Sequence, residues 1–200
     1  MPDASRSPSL FAPAVPDGFE YRARFLSPAE EGELLDTIGS LEFSLVVMRG
    51  AIARRRTVHF GWTYGYYSRR TEHGPPMPSF LVPIRARIAA WTALDAELFV
   101  EALVTEYPPG ATIGWHRDAP MFGDVVAGVS LASACRMKFR PYISPADVRA
   151  GSLRRTSHEI ELAPRSAYLL AGTARRAYEH SIPAVNTLRY SITFRTLRTG

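Results

Sequence analysis

The chain has 200 residues, 46% of them apolar and 22% charged, which is enough for one domain with a real core and is the composition of a globular protein. No apolar run approaches the roughly 20 residues needed to span a bilayer, and the polar N-terminus lacks a signal-peptide pattern. A single cysteine, Cys135, excludes an internal disulfide and a Cys-based zinc cluster, so the expected location is cytoplasmic. The net charge of +5 and pI near 9.6 leave two readings open. One is an anionic partner such as nucleic acid; the other is Arg-rich usage, since Lys138 is the only lysine. Nothing in the pattern calls for a membrane or an obligate protein partner.

Residues 1–17 carry Ser, Pro and Ala without periodicity and are expected to form a flexible arm, with one domain over 18–200. Ser27-Pro28-Ala29-Glu30 is a capping box with proline at the first helical position, predicting a short helix to about Ile38 that buries Leu34, Leu35 and Ile38. Between Ala53 and Arg70 an extended chain would place Phe60, Trp62, Tyr64 and Tyr66 on one face, bordered by glycines and by Arg54, Arg55, Arg69 and Arg70. Stacking aromatics beside arginines suit an unstacked base and its phosphates. An aromatic strand packed on a core, with solvated arginines, is the other reading.

His73 to Pro78 reads as a rigid linker. Phe80, Leu81, Ile84, Ile88, Trp91, Leu94 and Leu98 recur at helical spacing and predict one long helix from Ser79 to about Leu98, covering a sheet. The period then switches to two. Strands are expected at Phe99–Tyr107, Asp124–Ser133, Cys135–Tyr142, Glu159–Leu162, Ser166–Ala171 and Leu188–Leu197, with turn signals at Pro145, Gly151 and Pro164-Arg165. Helices followed by a run of short strands argue for an α+β fold, a β-sandwich or barrel with a helical layer.

Within this frame His116-x-Asp118 puts an imidazole and a carboxylate on one side of an extended segment. With a distant second histidine such as His180, this is the facial triad of non-haem Fe(II) oxygenases. The last strand places Arg189, Ser191, Thr193 and Arg195 on one face and Tyr190, Ile192 and Phe194 on the other. Two arginines on a sheet face are costly unless that face meets water or an anion, and a dicarboxylate would satisfy both guanidinium groups.

Tyr107-x-Pro-Gly110, His116-x-Asp118, His180 and Arg189-x5-Arg195, in this order, resemble the AlkB family of Fe(II)- and 2-oxoglutarate-dependent dioxygenases. Gly61-Trp62-Thr63 and Met77-Pro78-Ser79-Phe80 resemble further family segments, and the similarity runs from about Phe60 to Arg198. The resemblance implies a double-stranded β-helix, or jelly roll, with N-terminal helices on its major sheet and an N-terminal substrate-recognition region. It implies His116, Asp118 and His180 as catalytic iron ligands, and 2-oxoglutarate contacts from Thr105, Tyr107, Arg189 and Arg195. Trp62, Tyr64, Tyr66 and Arg69 become candidate substrate contacts. The implied cosubstrates are 2-oxoglutarate and O2. The implied reaction is oxidative removal of N-linked alkyl groups from DNA or RNA, and the alternative is the same chemistry on a protein or small molecule.

Two positions depart from the family's best-known repair enzymes. Thr105 stands where they carry Asn, and a hydroxyl still donates a hydrogen bond; Pro120 stands where they carry an acidic residue that helps read the base. Other polar residues have bland readings. His59 is surface or substrate-facing, His73 a loop residue, His158 the residue before a strand, and Asp124 a turn residue. Cys135 reads as a small buried hydrophobe. Arg136, Lys138 and Arg140 form either a solvated strand face or a nucleic-acid-facing stripe.

Overall fold

The computed structural model describes residues 15–48, 50–65, 70–144 and 157–198, so most of the predicted arm and the turn signals at Pro145 and Gly151 lie outside the described residues. β1 (Phe19–Arg22) leads to α1 (Pro28–Gly39). The capping box forms as its residues demand. Ser27 Oγ accepts from the Glu30 N–H at 3.2 Å, and Glu30 Oε2 accepts from the Ser27 N–H at 2.8 Å. Leu34 and Ile38 enter the core, with Leu35 packed at its edge.

Glu30 also pairs with Arg87. That hydrogen bond, followed by those from Ser27, holds the Glu30 carboxyl down at about 2 from its ordinary 4.5. A depressed carboxyl stabilises the fold above its unfolded pKa and loses that contribution as pH falls through the folded one. Acid unfolding of Glu30→Gln should therefore show a shallower loss of stability than wild type between about pH 4.5 and 2. The site is solvent-exposed, so the difference will be small and reduced by salt.

β2 (Ser44–Met48) and β3 (Ala51–Gly65) form a hairpin, and β4 (Arg70–His73) pairs with the far end of β3. The predicted 20-residue helix is broken into pieces. A 3-10 turn at Ser79–Leu81 opens into α2 (Val82–Thr92), which ends where Ala93 turns left-handed at φ 54°. A second 3-10 turn, Ala96–Leu98, is capped by Asp95, whose carboxylate accepts from the Glu97 N–H. Local side-chain capping competes here with continuation of the helix. Leu98 consequently lies at the surface, outside the apolar stripe to which its spacing assigned it.

The remaining strands are β5 (Phe99–Tyr107), β6 (Ile113–His116), β7 (Phe122–Leu131), β8 (Cys135–Pro141), β9 (His158–Leu162), β10 (Ala167–Leu170), β11 (Tyr178–Ile182) and β12 (Arg189–Leu197), with a short α3 (Gly172–Arg176) before β11. The major sheet runs β1-β10-β7-β12-β5-β3-β2 with β4 attached to β3, and the minor sheet runs β6-β11-β8-β9; every pairing is antiparallel. Period-two alternation splits the major sheet between two environments. Ile192 and Phe194 of β12 and Ala102 and Val104 of β5 pack against Leu34 and Ile38 of α1 and Ile84 and Ile88 of α2. The opposite face looks toward the minor sheet, and Tyr107, Val126 and Tyr168 share an apolar cluster with Met137, Phe139 and Ile182.

Gly61 marks where β3 leaves the major sheet. Its pairing with Glu101 is the last between β3 and β5, and Trp62 is already opposite His73 of β4. Gly61 has φ +78°, and a Cβ there would stand 2.0 Å from the Val100 carbonyl oxygen. A left-handed conformation of this kind strains any residue with a Cβ, and the clash adds to it. Gly61→Ala is expected to destabilise the fold by about 2 kcal/mol or more, measured by denaturant unfolding. The same bend separates the predicted aromatic row: Phe60 is buried edge-on to Phe80 in the helical core, whereas Trp62 lies against His73 with ring centres 3.7 Å apart and planes tilted by 42°. His73 is thus a strand residue.

Candidate metal and anion site

A cavity of about 440 Å³ opens between the two sheets. Its wall is built by alternation on adjacent strands. From β12 come Arg189, Ser191, Thr193 and Arg195; from β5 come Glu101, Leu103, Thr105 and Tyr107; from β3 come Arg55, Thr57 and His59. Register sets these residues side by side: Arg189 faces Tyr107, Ser191 faces Thr105 and Arg195 faces Glu101. One polar face of the sheet is therefore buried, which demands partners for its charges.

Arg189 makes that demand most sharply. It is 1% exposed, and its guanidinium lies 4.8 Å from the centre of the Tyr107 ring. Nη2 donates to Ser130 Oγ at 3.0 Å, while Nε and Nη1 have no hydrogen-bond partner. A buried cation with two unsatisfied donors is strongly unfavourable. A carboxylate entering the cavity would complete it bidentately, with Tyr107 and Thr105 alongside.

Across the cavity, His116 ends β6 and His180 lies in β11, and the two are direct cross-strand partners with ring centres 4.2 Å apart. His116 Nδ1 is 2.9 Å from the Gly114 carbonyl oxygen, an arrangement that lets Nδ1 donate and leaves Nε2 as the lone-pair nitrogen. Burial holds both imidazoles below their ordinary pKa, His180 down to about 3, so both are neutral at pH 7. Asp118 follows β6 in a non-strand segment. Burial acts to raise its pKa, but the charge of Arg195 first, then of the two imidazoles where they are protonated, and of Arg175 outweighs burial and lowers it, so it is ionised. Its Oδ1 accepts from Arg195 Nε at 2.8 Å, and its buried Oδ2 has no hydrogen-bond partner.

Asp118 Oδ2 stands 3.9 Å from His180 Nε2. Two donors about 2.1 Å from one ion can be at most about 4.2 Å apart, so this separation is open but within reach of a shared metal. Among the described residues no three His, Cys, Asp or Glu side chains have the closer spacing of a preassembled metal group. Two neutral imidazoles and a carboxylate with an orphaned oxygen are the donor set suited to Fe(II).

Several residues of this site carry no sequence motif. Arg175 of α3 is buried and donates to the carbonyl oxygens of Asp118, Ala119, Phe122 and Gly123, which fixes the segment bearing Asp118. Glu101 is 1% exposed and accepts from Arg195 Nη1 at 2.9 Å, with His59 Nδ1 3.1 Å from its other oxygen. Carbonyl partners leave no trace in a sequence, and Glu101 reads there as one more alternating residue. His59 accordingly lines the cavity while its side chain remains partly exposed.

Among the candidate substrate contacts, Trp62 lies outside the cavity lining, against His73. Tyr64 occupies β3 opposite Thr71. Tyr66 and Arg69 are outside the described residues. Pro120 is exposed and is not itself among the residues that line the cavity. Asp124 lies within β7, not in a turn, and is tied to Arg176. Arg136 and Lys138 pair with Glu159, and Arg140 with Glu179, which makes this strand face an ion-paired one. Cys135 is buried, as its apolar reading implied. His158 opens β9 beside Tyr178, away from the cavity.

The family profile of the 2OG-Fe(II) oxygenase superfamily matches residues 18–195. The chain belongs to the 2OG-Fe(II) oxygenase superfamily. Members use Fe(II), 2-oxoglutarate and O2. An Arabidopsis thaliana protein named "Alkylated DNA repair protein ALKBH8 homolog" is 33% identical over 174 residues, covering 80% of this chain and 49% of that protein. "RNA demethylase ALKBH9B" from Arabidopsis thaliana is 25% identical over 210 residues, covering 92% and 40% respectively. These relatives bear out the AlkB resemblance, and the chain spans about half of their length or less.

Among solved structures, OsALKBH1 aligns with a TM-score of 0.66 at 13% identity, covering 94% of this chain and 99% of that one. A Pseudomonas putida prolyl-4-hydroxylase aligns at 0.60 and 15%, covering 90% and 93%. At such identities the likeness is one of fold, and that fold is the double-stranded β-helix expected from the motifs.

Proposed function

We propose that this oxygenase domain removes N-linked alkyl groups from nucleobases in DNA or RNA, with His116, Asp118 and His180 as its Fe(II) ligands. The observation that carries this reading is the two-histidine, one-carboxylate cluster facing an incompletely paired, buried Arg189 across one cavity. Bound Fe(II) with 2-oxoglutarate and O2 would supply the oxidising power: one oxygen atom enters succinate as CO2 is lost, and the other enters the alkyl C–H bond. For a methyl group, the hydroxylated carbon then loses its bond to nitrogen, the hydroxyl proton passes to that nitrogen, and the carbon leaves as formaldehyde.

The chain's residues hold and shield. Arg189 clamps the distal carboxylate of the cosubstrate, and Tyr107 and Thr105 fill the same subsite. Arg195 keeps Asp118 ionised and oriented, while the apolar wall from Val126, Met137 and Ile182 limits water. The relatives' names support nucleic acid as substrate, as does the net charge of +5. Arg54 is exposed beside Gly110, in the turn between β5 and β6. Arg54→Ala should weaken binding of an oligonucleotide and reduce the slope of log K against log salt by about 1.

The deciding experiment incubates the protein with Fe(II), 2-oxoglutarate and oligonucleotides bearing N-methylated bases. Formaldehyde and succinate in equal amounts, both abolished in His180→Ala, are expected. Succinate without formaldehyde on every single- and double-stranded methylated substrate would overturn the nucleic-acid assignment. Pro120, which has no side-chain acceptor and is not among the cavity-lining residues, favours a second reading, the same chemistry on a protein or small molecule; a hydroxylated or demethylated peptide with nucleic acid untouched would establish it. The protein is expected in the cytoplasm; no helix among the described residues is long and apolar enough to cross a membrane.

A further inference from the structure

The cavity wall contains a chain of charges whose far members, Glu101 and His59, neither the motifs nor the proposed reaction requires. It starts at Asp118, whose Oδ1 accepts from Arg195 Nε at 2.8 Å. Arg195 Nη1 donates to Glu101 Oε2 at 2.9 Å, and Glu101 Oε1 lies 3.1 Å from His59 Nδ1. Glu101 is 1% exposed, yet both its oxygens are engaged. His59 is 35% exposed in its side chain and lines the cavity. The chain also crosses the point where the fold bends, because Glu101 is the β5 partner of Gly61, the residue at which β3 leaves the sheet to pair with β4.

Placement dictates what such a carboxylate does. A guanidinium bonded to Asp118 alone would draw electron density from Oδ1 and be free to swing with it. Shared between two buried carboxylates, Arg195 is fixed at both ends of its fork, and its pull on Asp118 is divided. Asp118 then keeps Oδ2 turned toward His180 and the cavity, where it has no competing hydrogen bond. His59 holds the far oxygen of Glu101 and anchors it to the strand that continues into the aromatic hairpin.

We propose that Glu101 and His59 are positioning residues for the metal site, acting on Asp118 through Arg195. The inference rests on the assignment of Asp118 as a metal ligand. Partners one step removed from a ligand set its orientation and donor strength, and losing them weakens metal binding without removing a ligand.

The test uses the full chain and Mn(II) as probe, with free Mn(II) followed by electron paramagnetic resonance and folding checked by thermal denaturation. Glu101→Gln keeps the shape and removes the charge; it is expected to weaken Mn(II) binding by about 10-fold to 100-fold and to shift the visible spectrum of the Co(II)-loaded protein. His59→Ala, at a half-exposed position, should remain folded and lose roughly 3-fold to 10-fold. His59→Gln, which can still donate to Glu101, should restore most of that loss. Mn(II) affinity within twofold of wild type in both Glu101→Gln and His59→Ala overturns the inference while leaving Asp118 as ligand. If Glu101→Gln does not fold, an unchanged His59→Ala overturns it alone. Wild-type protein that binds no Mn(II), or an Asp118→Asn variant that binds as wild type does, would remove the metal-site reading and this inference with it.

Discussion

Replacing Arg189 by methionine is expected to weaken 2-oxoglutarate binding by about 100-fold or more, corresponding to a loss of about 3 kcal/mol for one partner of a buried charge pair. The same substitution should leave the ligand-free protein as stable as wild type, or more stable. Arg189 is buried to 1% exposure with Nε and Nη1 unpartnered, so without an anion its charge opposes folding. Methionine fills a similar volume and removes that charge. Calorimetric titration with 2-oxoglutarate and thermal unfolding with and without it measure the two opposite effects. Arg189→Lys should fall between, because an ammonium retains the charge but not the planar fork that two carboxylate oxygens require. A variant that kept its affinity would show that the cosubstrate's distal carboxylate binds elsewhere. A variant that lost stability in the absence of ligand would show that the guanidinium is satisfied within the protein.

Asp118→Ala is expected to abolish turnover and to reduce metal affinity by more than the roughly 100-fold typical of outer partners. It should also destabilise the metal-free fold, because Arg195 loses its 2.8 Å bond to Oδ1 and retains only Glu101. Breaking a buried ion pair can cost about 3–5 kcal/mol, and the surviving partner should bring this to the lower end or below. Asp118→Asn separates the two roles. Its amide oxygen can still accept from Arg195, so much of the stability should return, while the anionic donor is lost and turnover stays absent. His116→Ala serves as the comparison: its ring nitrogen is hydrogen-bonded to the Gly114 carbonyl oxygen and not to a buried charge, so metal binding should fail with a smaller change in stability. Equal stability of Asp118→Ala and His116→Ala would mean that Arg195 does not depend on Asp118.

How far a residue could be read before folding depended on whether its partner was local. The Ser27–Glu30 capping box is complete within four residues, and α1 begins there. β5 spans Phe99–Tyr107 as its alternation predicted, and β12 begins one residue later than expected. β11, which carries His180, was not foreseen, because Tyr178–Ile182 is short and mixes polar with apolar residues. Its identity as a strand comes from pairing with β6 on one side and β8 on the other. The helix after Ser79 failed differently. Its apolar spacing runs on to Leu98, but Asp95 and a left-handed Ala93 end the helix locally, and hydrophobic period alone does not register such a stop.

The identity of the chemistry lay in the order of a few side chains. His116, Asp118, His180, Arg189 and Arg195 are of types with narrow uses, and alternation on the last strand put both arginines on one face before any contact was known. The arrangement that makes them a site came from pairings between distant parts of the chain. His116 and His180 meet across β6 and β11, 64 residues apart by number (180 − 116). Arg195 reaches Glu101 across a separation of 94 residues, and Glu101 reaches His59 across 42. A sequence specifies which charges exist, but a buried charge acquires its meaning from the opposite charge that folding sets beside it. That is why Arg195 and Asp118 were legible as candidate site residues, whereas the ties of Glu101 and Arg175 to them emerged only once the sheets had closed around the cavity.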